Sequence, residues 1–183
     1  MTDGPRPALD VVDVAGLIAD LAADGETVAT AESVTGGRLV AVLTSVPGSS
    51  TVVRGAVVAY STEVKSSMLG VDPEALGQHG PVCALVAQQM AQGARDRLGA
   101  TYGVSTTGEA GPDSASGQPV GTVFVAVSGP RGTESRQWAL VGSRAEIQQG
   151  AVTGALLMLT EARRAAGADP RAGSAAGSGN NGD

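Results

Sequence analysis

Short runs rich in β-branched residues alternate along this chain with longer stretches whose apolar residues recur at helical spacing, and that alternation most constrains the fold. Strand character belongs to residues 27–31, 52–60, 102–107, 120–128 and 134–141, the last two joined by a hairpin turn over 129–132. The run Val52-Val53-Arg54-Gly55-Ala56-Val57-Val58-Ala59-Tyr60 is the strongest of them. Helical spacing marks residues 10–24, through Val11, Val14, Leu17, Ile18 and Leu21, and a segment from near Thr35 through Leu39, Val42 and Leu43 towards Pro47. It returns over 65–69, capped by Ser61 or Thr62 and closed by Gly70, then as a short turn at 73–78, then over 82–98 and 145–164. Interleaved elements of both kinds predict one α/β domain over 10–166, built as three layers with a mixed sheet flanked by helices. Residues 1–9 read as a flexible N-terminus. Residues 167–183 have no large apolar side chain and read as a disordered tail. Within that tail, residues 177–182 match G-x-G-x-x-G, but no strand precedes them and no helix can follow, so the match is chance.

Composition excludes several functions. The chain carries 12 Lys and Arg against 18 Asp and Glu, a formal charge of −6, which argues against non-specific nucleic-acid binding. Its aromatics are only Tyr60, Tyr102, Phe124 and Trp138, too few for a base-stacking surface. No apolar stretch is long enough to span a membrane, and the first ten residues lack a basic and an apolar signal region. With Cys83 as the single cysteine, a reducing, cytoplasmic setting is predicted. The single histidine, His79, rules out a two-histidine zinc motif and lies in Gly77-Gln78-His79-Gly80-Pro81, which reads as an exposed turn between helices. His79 and Cys83 are four apart, but two ligands do not make a metal site, so no metal is predicted.

The segment Ala31-Glu32-Ser33-Val34-Thr35-Gly36-Gly37 stands where a strand gives way to a helix. A hydroxyl at such a junction meets the unpaired N–H groups and positive end of a helix, which suit a developing oxyanion or a phosphate. From spacing alone the same residues read first as an ordinary N-cap, Ser33 or Thr35, followed by a glycine turn. They form neither the G-x-S-x-G elbow nor a phosphate loop ending in G-K-[ST]. Without a suitable histidine, a serine nucleophile needs another base. A lysine can serve once its pKa falls from about 10.4 towards neutrality. Lys65 is the single lysine; every other basic side chain, His79 aside, is arginine. Its place in the first turn of a helix disfavours the ammonium form, and Tyr60 stands where it could relay or orient the proton.

The segment at 31–37, followed by Val46-Pro47-Gly48-Ser49-Ser50, resembles the CinA C-terminal-domain family. So do Val58-Ala59-Tyr60-Ser61-Thr62-Glu63-Val64-Lys65, Thr107-Gly108-Glu109-Ala110-Gly111-Pro112 and Pro119-Val120-Gly121-Thr122-Val123. The resemblance runs over about residues 12–164. It implies a nicotinamide-nucleotide amidase that hydrolyses nicotinamide mononucleotide to nicotinic acid mononucleotide and ammonia, an activity of pyridine nucleotide salvage. The family's catalytic group falls on Ser33, Tyr60 and Lys65. Substrate contacts are expected from Thr35, Gly36 and Gly37, from Gly48, Ser49 and Ser50, and from Thr107, Gly108 and Arg144. Serine chemistry on a carboxamide requires no metal or redox cofactor. The resemblance also implies a homodimer or higher homo-oligomer, with the nucleotide as partner and neither nucleic acid nor membrane bound directly.

Two positions depart from the family's pattern. Residues 113–118, Asp-Ser-Ala-Ser-Gly-Gln, carry no positive charge where paired glycines and a basic residue are usual, and Glu109 stands in place of a small apolar residue. A carboxylate there could repel a phosphorylated substrate, bind a pyridinium ring or face solvent. Two alternatives follow: an amidase for another small amide, and a non-catalytic, competence- or DNA-repair-related protein-binding module.

Overall fold

The computed structural model describes residues 12–167. Among them the order is α1 (Val14–Ala23), β1 (Val28–Glu32), α2 (Arg38–Thr44), a 3-10 turn (Ser49–Thr51), β2 (Val53–Val58), α3 (Thr62–Leu69), α4 (Pro73–His79), α5 (Ala84–Leu98), β3 (Tyr102–Gly108), β4 (Thr122–Gly129), β5 (Gly132–Ala139) and α6 (Arg144–Gly167). The sheet runs β2-β1-β3-β4-β5; β1 is parallel to β2 and β3, while β4 is antiparallel to β3 and β5. It is the mixed, helix-flanked sheet expected. The expected N-terminal segment, and the tail apart from Gly167 at the end of α6, lie outside the described residues.

Side-chain alternation on β1 divides the core. Val28 points into a cluster with Leu17 and Leu21 of α1, Leu39 and Leu43 of α2, and Ile147 and Leu156 of α6. Ala29 and Ala31 point the other way, towards Leu69 of α3, Leu76 of α4 and Met90 of α5. Thus α1, α2 and α6 cover one face and α3, α4 and α5 the other. On β3 the α5 side carries Gly103, where a Cβ would collide with the Ala91 carbonyl, and Ser105, whose hydroxyl donates to the Ala87 carbonyl at 2.6 Å. The absent side chain lets α5 lie directly on the sheet.

Connections from the ends of the three parallel strands set up a crevice. The chain leaves β1 through α2 to reach β2 on one side, then returns through α3, α4 and α5 to β3 on the other side of β1. In parallel sheets such a reversal opens a hollow beyond the carboxyl ends of the strands. Ser33 follows β1, Tyr60 follows β2, and Thr107 and Gly108 end β3, so the fold brings three of the resembling motifs to one edge.

Candidate active site

The same alternation sends Glu32 and Ser33 to opposite sides. Glu32, fully buried, turns towards α2 and accepts from the amides of Gly37 at 2.9 Å, Leu39 at 3.0 Å and Val40 at 2.8 Å. It also accepts from the hydroxyls of Thr30 at 3.2 Å and Thr35 at 2.7 Å. With its proton committed to Glu32, Thr35 accepts from Thr106 at 2.7 Å. A carboxylate thus caps α2 where a hydroxyl was expected to. The helix begins at Arg38 and not near Thr35, because Gly36 and Gly37 take left-handed φ values of 59° and 96° to bring the turn round that carboxylate. The helix amides expected to meet a ligand are therefore already bound inside the protein.

Ser33 is fixed by its amide, which donates to the Thr106 carbonyl at 2.9 Å, and its side chain faces α3. There Lys65, 2% exposed, reaches its Oγ at 2.9 Å and donates to the Ala59 carbonyl at 2.8 Å. Helix α3 is set by Ser61, whose hydroxyl accepts from the Val64 amide, and is ended by Gly70 in a left-handed conformation. No carboxylate pairs with Lys65 among the described residues. Burial lowers its pKa from 10.5 to about 8. The cause is desolvation by burial.

Ser33 and Lys65 open into a cleft of about 490 Å³ whose walls include Val34, Tyr60, Thr107, Gly108, Glu109 and Arg144. A smaller hollow of about 320 Å³ lies at the opposite end of the sheet, beside the β4–β5 hairpin, and contains neither Ser33 nor Lys65. Tyr60 stands at the cleft rim, 63% exposed, and its hydroxyl accepts from Arg144 at 2.8 Å. It makes no hydrogen bond with Ser33 or Lys65, so the contact between those two is direct. Arg144, at the start of α6, also donates to the Gly111 carbonyl at 2.8 Å, tying three segments across the rim.

Of the expected substrate contacts, Thr107, Gly108 and Arg144 line the cleft, while Thr35, Gly36, Gly37, Gly48, Ser49 and Ser50 do not. The Thr35 side chain is spent on Glu32 and Thr106, and Gly36 and Gly37 form the turn behind it. Gly48 opens the 3-10 turn, and the Ser49 hydroxyl donates back to the Thr44 carbonyl at 3.4 Å. Thr107 presents its hydroxyl to the Pro81 carbonyl at 2.8 Å. His79 is exposed at the end of α4, and Cys83 caps α5; no cluster of three or more His, Cys, Asp or Glu that could hold a metal occurs among the described residues. Sequence reasoning missed the parts played by Glu32 and by Gln148, whose buried side chain donates to the Val34 carbonyl at 2.9 Å. Their only signal was polarity inside apolar patterns: Glu32 closing a buried strand, Gln148 beside Ile147 on a buried helix face.

Comparisons with known proteins bear on this geometry. The family model for the CinA C-terminal domain matches residues 14–163. A CinA-like protein of Frankia casuarinae is 51% identical over 130 residues, 71% of this chain and 30% of the relative. A CinA-like protein of Anaeromyxobacter sp. (strain K) is 46% identical over 149 residues, 81% of this chain and 36% of the relative. The chain thus spans about a third of the length of these curated relatives. Among solved structures, the competence/damage inducible protein CihA from Agrobacterium tumefaciens superposes with a TM-score of 0.81 at 36% identity, covering 89% of this chain and 99% of the other. The competence damage-inducible protein A from Klebsiella pneumoniae gives 0.78 at 32% identity, covering 84% and 98%. From the conserved architecture and the matched span together, the chain belongs to the CinA C-terminal domain family.

Proposed function

We propose that the protein is a nicotinamide-nucleotide amidase in which Ser33 is the nucleophile and Lys65 its base. The observation that carries this is the 2.9 Å contact between Lys65 Nζ and Ser33 Oγ at the floor of a cleft, with burial lowering the lysine pKa to about 8. A neutral amine keeps one N–H on the Ala59 carbonyl, which aims its lone pair at the serine hydroxyl. Lys65 takes the Ser33 proton as Oγ attacks the carboxamide carbon. The C–N bond then breaks, and the same proton leaves with the departing nitrogen as ammonia. Water, deprotonated by Lys65, attacks the acyl-serine; the C–Oγ bond breaks, Lys65 returns the proton to Ser33 Oγ, and the acid product leaves as its carboxylate. Since Glu32 holds the α2 amides, we assign the oxyanion to the Val34 amide, on the cleft wall beside Ser33. Gln148, bonded to the Val34 carbonyl, steadies that stretch of backbone. Arg144 is the cation on the rim for the phosphate.

Ammonia release from nicotinamide mononucleotide tests this directly. The wild type is expected to release it, and Ser33→Ala and Lys65→Ala to fall by at least about 10³-fold while still folded. A folded wild type that releases none overturns the proposal.

A further inference from the structure

One charged group in the cleft has no part in that chemistry. Glu109 is only 7% exposed, yet it lines the cleft with Ser33 and Lys65. Its backbone is locked on both sides: its amide donates to the Thr122 carbonyl at 2.9 Å, and its carbonyl accepts from Gly121 at 2.7 Å. One carboxylate oxygen accepts from the Ser116 amide at 2.6 Å, which folds the 113–116 loop over the wall. No ion pair satisfies Glu109 among the described residues, and none satisfies Arg144 across the rim. The partner of the Glu109 carboxylate among them is thus a neutral amide, and a cationic ligand would supply its first ion pair. Asp113 and Arg144 line the same cleft, with Arg144 bonded to the Gly111 carbonyl between Glu109 and Asp113, so the cleft presents groups of both charges. It complements a dipolar ligand, anionic at one end and cationic at the other, and not a simple polyanion.

Glu109 also lies on the segment to which the nucleophile's backbone is tied. Ser33 bonds the carbonyl of Thr106, and Glu109 lies three residues further along the chain, roughly 10 Å at strand rise. A positive ring whose carboxamide sits at Ser33 lies in the same cleft as the Glu109 carboxylate. From these observations we propose that Glu109 is a specificity-determining residue that binds the cationic ring of an N-substituted pyridinium carboxamide, selecting it over an uncharged ring of the same shape. The proposal rests on the amidase reading above and adds to it the residue that reads the charge of the substrate's ring.

The test compares the oxidised mononucleotide, whose ring is a pyridinium, with its reduced form, whose dihydropyridine ring is neutral while ribose and phosphate are unchanged. Calorimetric binding to the full chain carrying Ser33→Ala, which stops turnover, is expected to favour the oxidised form. Adding Glu109→Gln, which keeps an acceptor for the Ser116 amide, is expected to shrink that preference by roughly tenfold or more. Glu109→Asp, which keeps the charge, is expected to retain most of it. A preference unchanged by Glu109→Gln overturns the role of Glu109 while leaving ammonia release by the wild type intact. Binding of neither form overturns this proposal, and absence of ammonia release overturns the amidase itself, so the two failures are read on separate instruments.

Discussion

Lys65, 2% exposed, holds a titratable nitrogen at the floor of the cleft, and its two contacts, a hydroxyl and a carbonyl, are both neutral. Burial therefore acts on its charge without compensation and brings the pKa down to about 8. In the unfolded chain it returns to the ordinary lysine value near 10.5. Between those values the unfolded state binds more protons, so stability rises as pH climbs from about 8 to 10.5, and below 8 the full penalty is present. Two outcomes follow. Amidase kcat/KM should rise with pH and level off above an apparent pKa near 8, read from a pH-rate profile. Lys65→Met should unfold with about 1–2 kcal/mol more free energy than the wild type at pH 7, after allowing about 1 kcal/mol for each lost hydrogen bond. That margin should shrink towards pH 10, as measured by denaturant titration at several pH values. Elimination in the sequence offered Lys65 as the one lysine that could serve as a base, but it was the resemblance to the CinA C-terminal-domain family that joined it to Ser33, whose own pattern reads first as a helix cap. Tyr60 was legible as a cleft residue but not as Arg144's partner, since the two lie 84 positions apart.

At the scale of elements, the junction from β1 to α2 differs most from its sequence pattern. Ser33, Thr35 and two glycines look like a conventional helix start, and the segment was expected to turn helical near Thr35. Instead Glu32 reaches back under the turn, and its carboxylate gathers amides five, seven and eight positions ahead. Local capping rules look only a few residues on, so they do not find such a cap. The strong run at 52–60 likewise yields only Val53–Val58 as strand: the Ala59 amide still donates to the Glu32 carbonyl of β1 at 2.8 Å, but its own carbonyl turns to Lys65. By contrast α3 keeps the Ser61 cap and Gly70 stop anticipated for it, since both signals act within a single turn. The Glu32 arrangement makes Glu32→Gln informative. Its new NH2 would face donors, leaving at least one amide without an acceptor, for an expected loss of about 2–3 kcal/mol in denaturant unfolding. Because Ser33 is the next residue, kcat should fall more than KM changes, and Glu32→Asp should restore neither, its shorter arm not spanning the same amides.

Across the whole molecule, polar organisation gathers at both ends of the sheet. At the carboxyl ends of β1, β2 and β3 lies the cleft; at the other end Arg163 of α6 binds Asp20, Asp24 and Glu26 around the C-terminus of α1. Glu26 in turn accepts from the hydroxyl of buried Tyr102 at the start of β3 at 3.0 Å, so one arginine joins α6, α1 and the sheet. The sequence showed the apolar faces of these helices through their spacing, but a cluster joining residues 137 to 143 positions apart has no local signature. Its physical task is closure of the layer formed by α1, α2 and α6, whose apolar interior would otherwise meet water at that end. Much of the ion-pair surface is exposed, so each pair adds little alone, although the arginine itself is only 17% exposed and its contacts act together. Arg163→Ala is therefore expected to reduce unfolding free energy by about 1–2 kcal/mol, with the loss smaller in high salt. The cleft stands at the far end of a sheet held by its own hydrogen bonds and by α5. Ammonia release at a temperature where the variant is folded should then match the wild type within about twofold. A larger fall in kcat/KM would mean that the two ends are coupled through α6, whose first residue is Arg144 on the cleft rim.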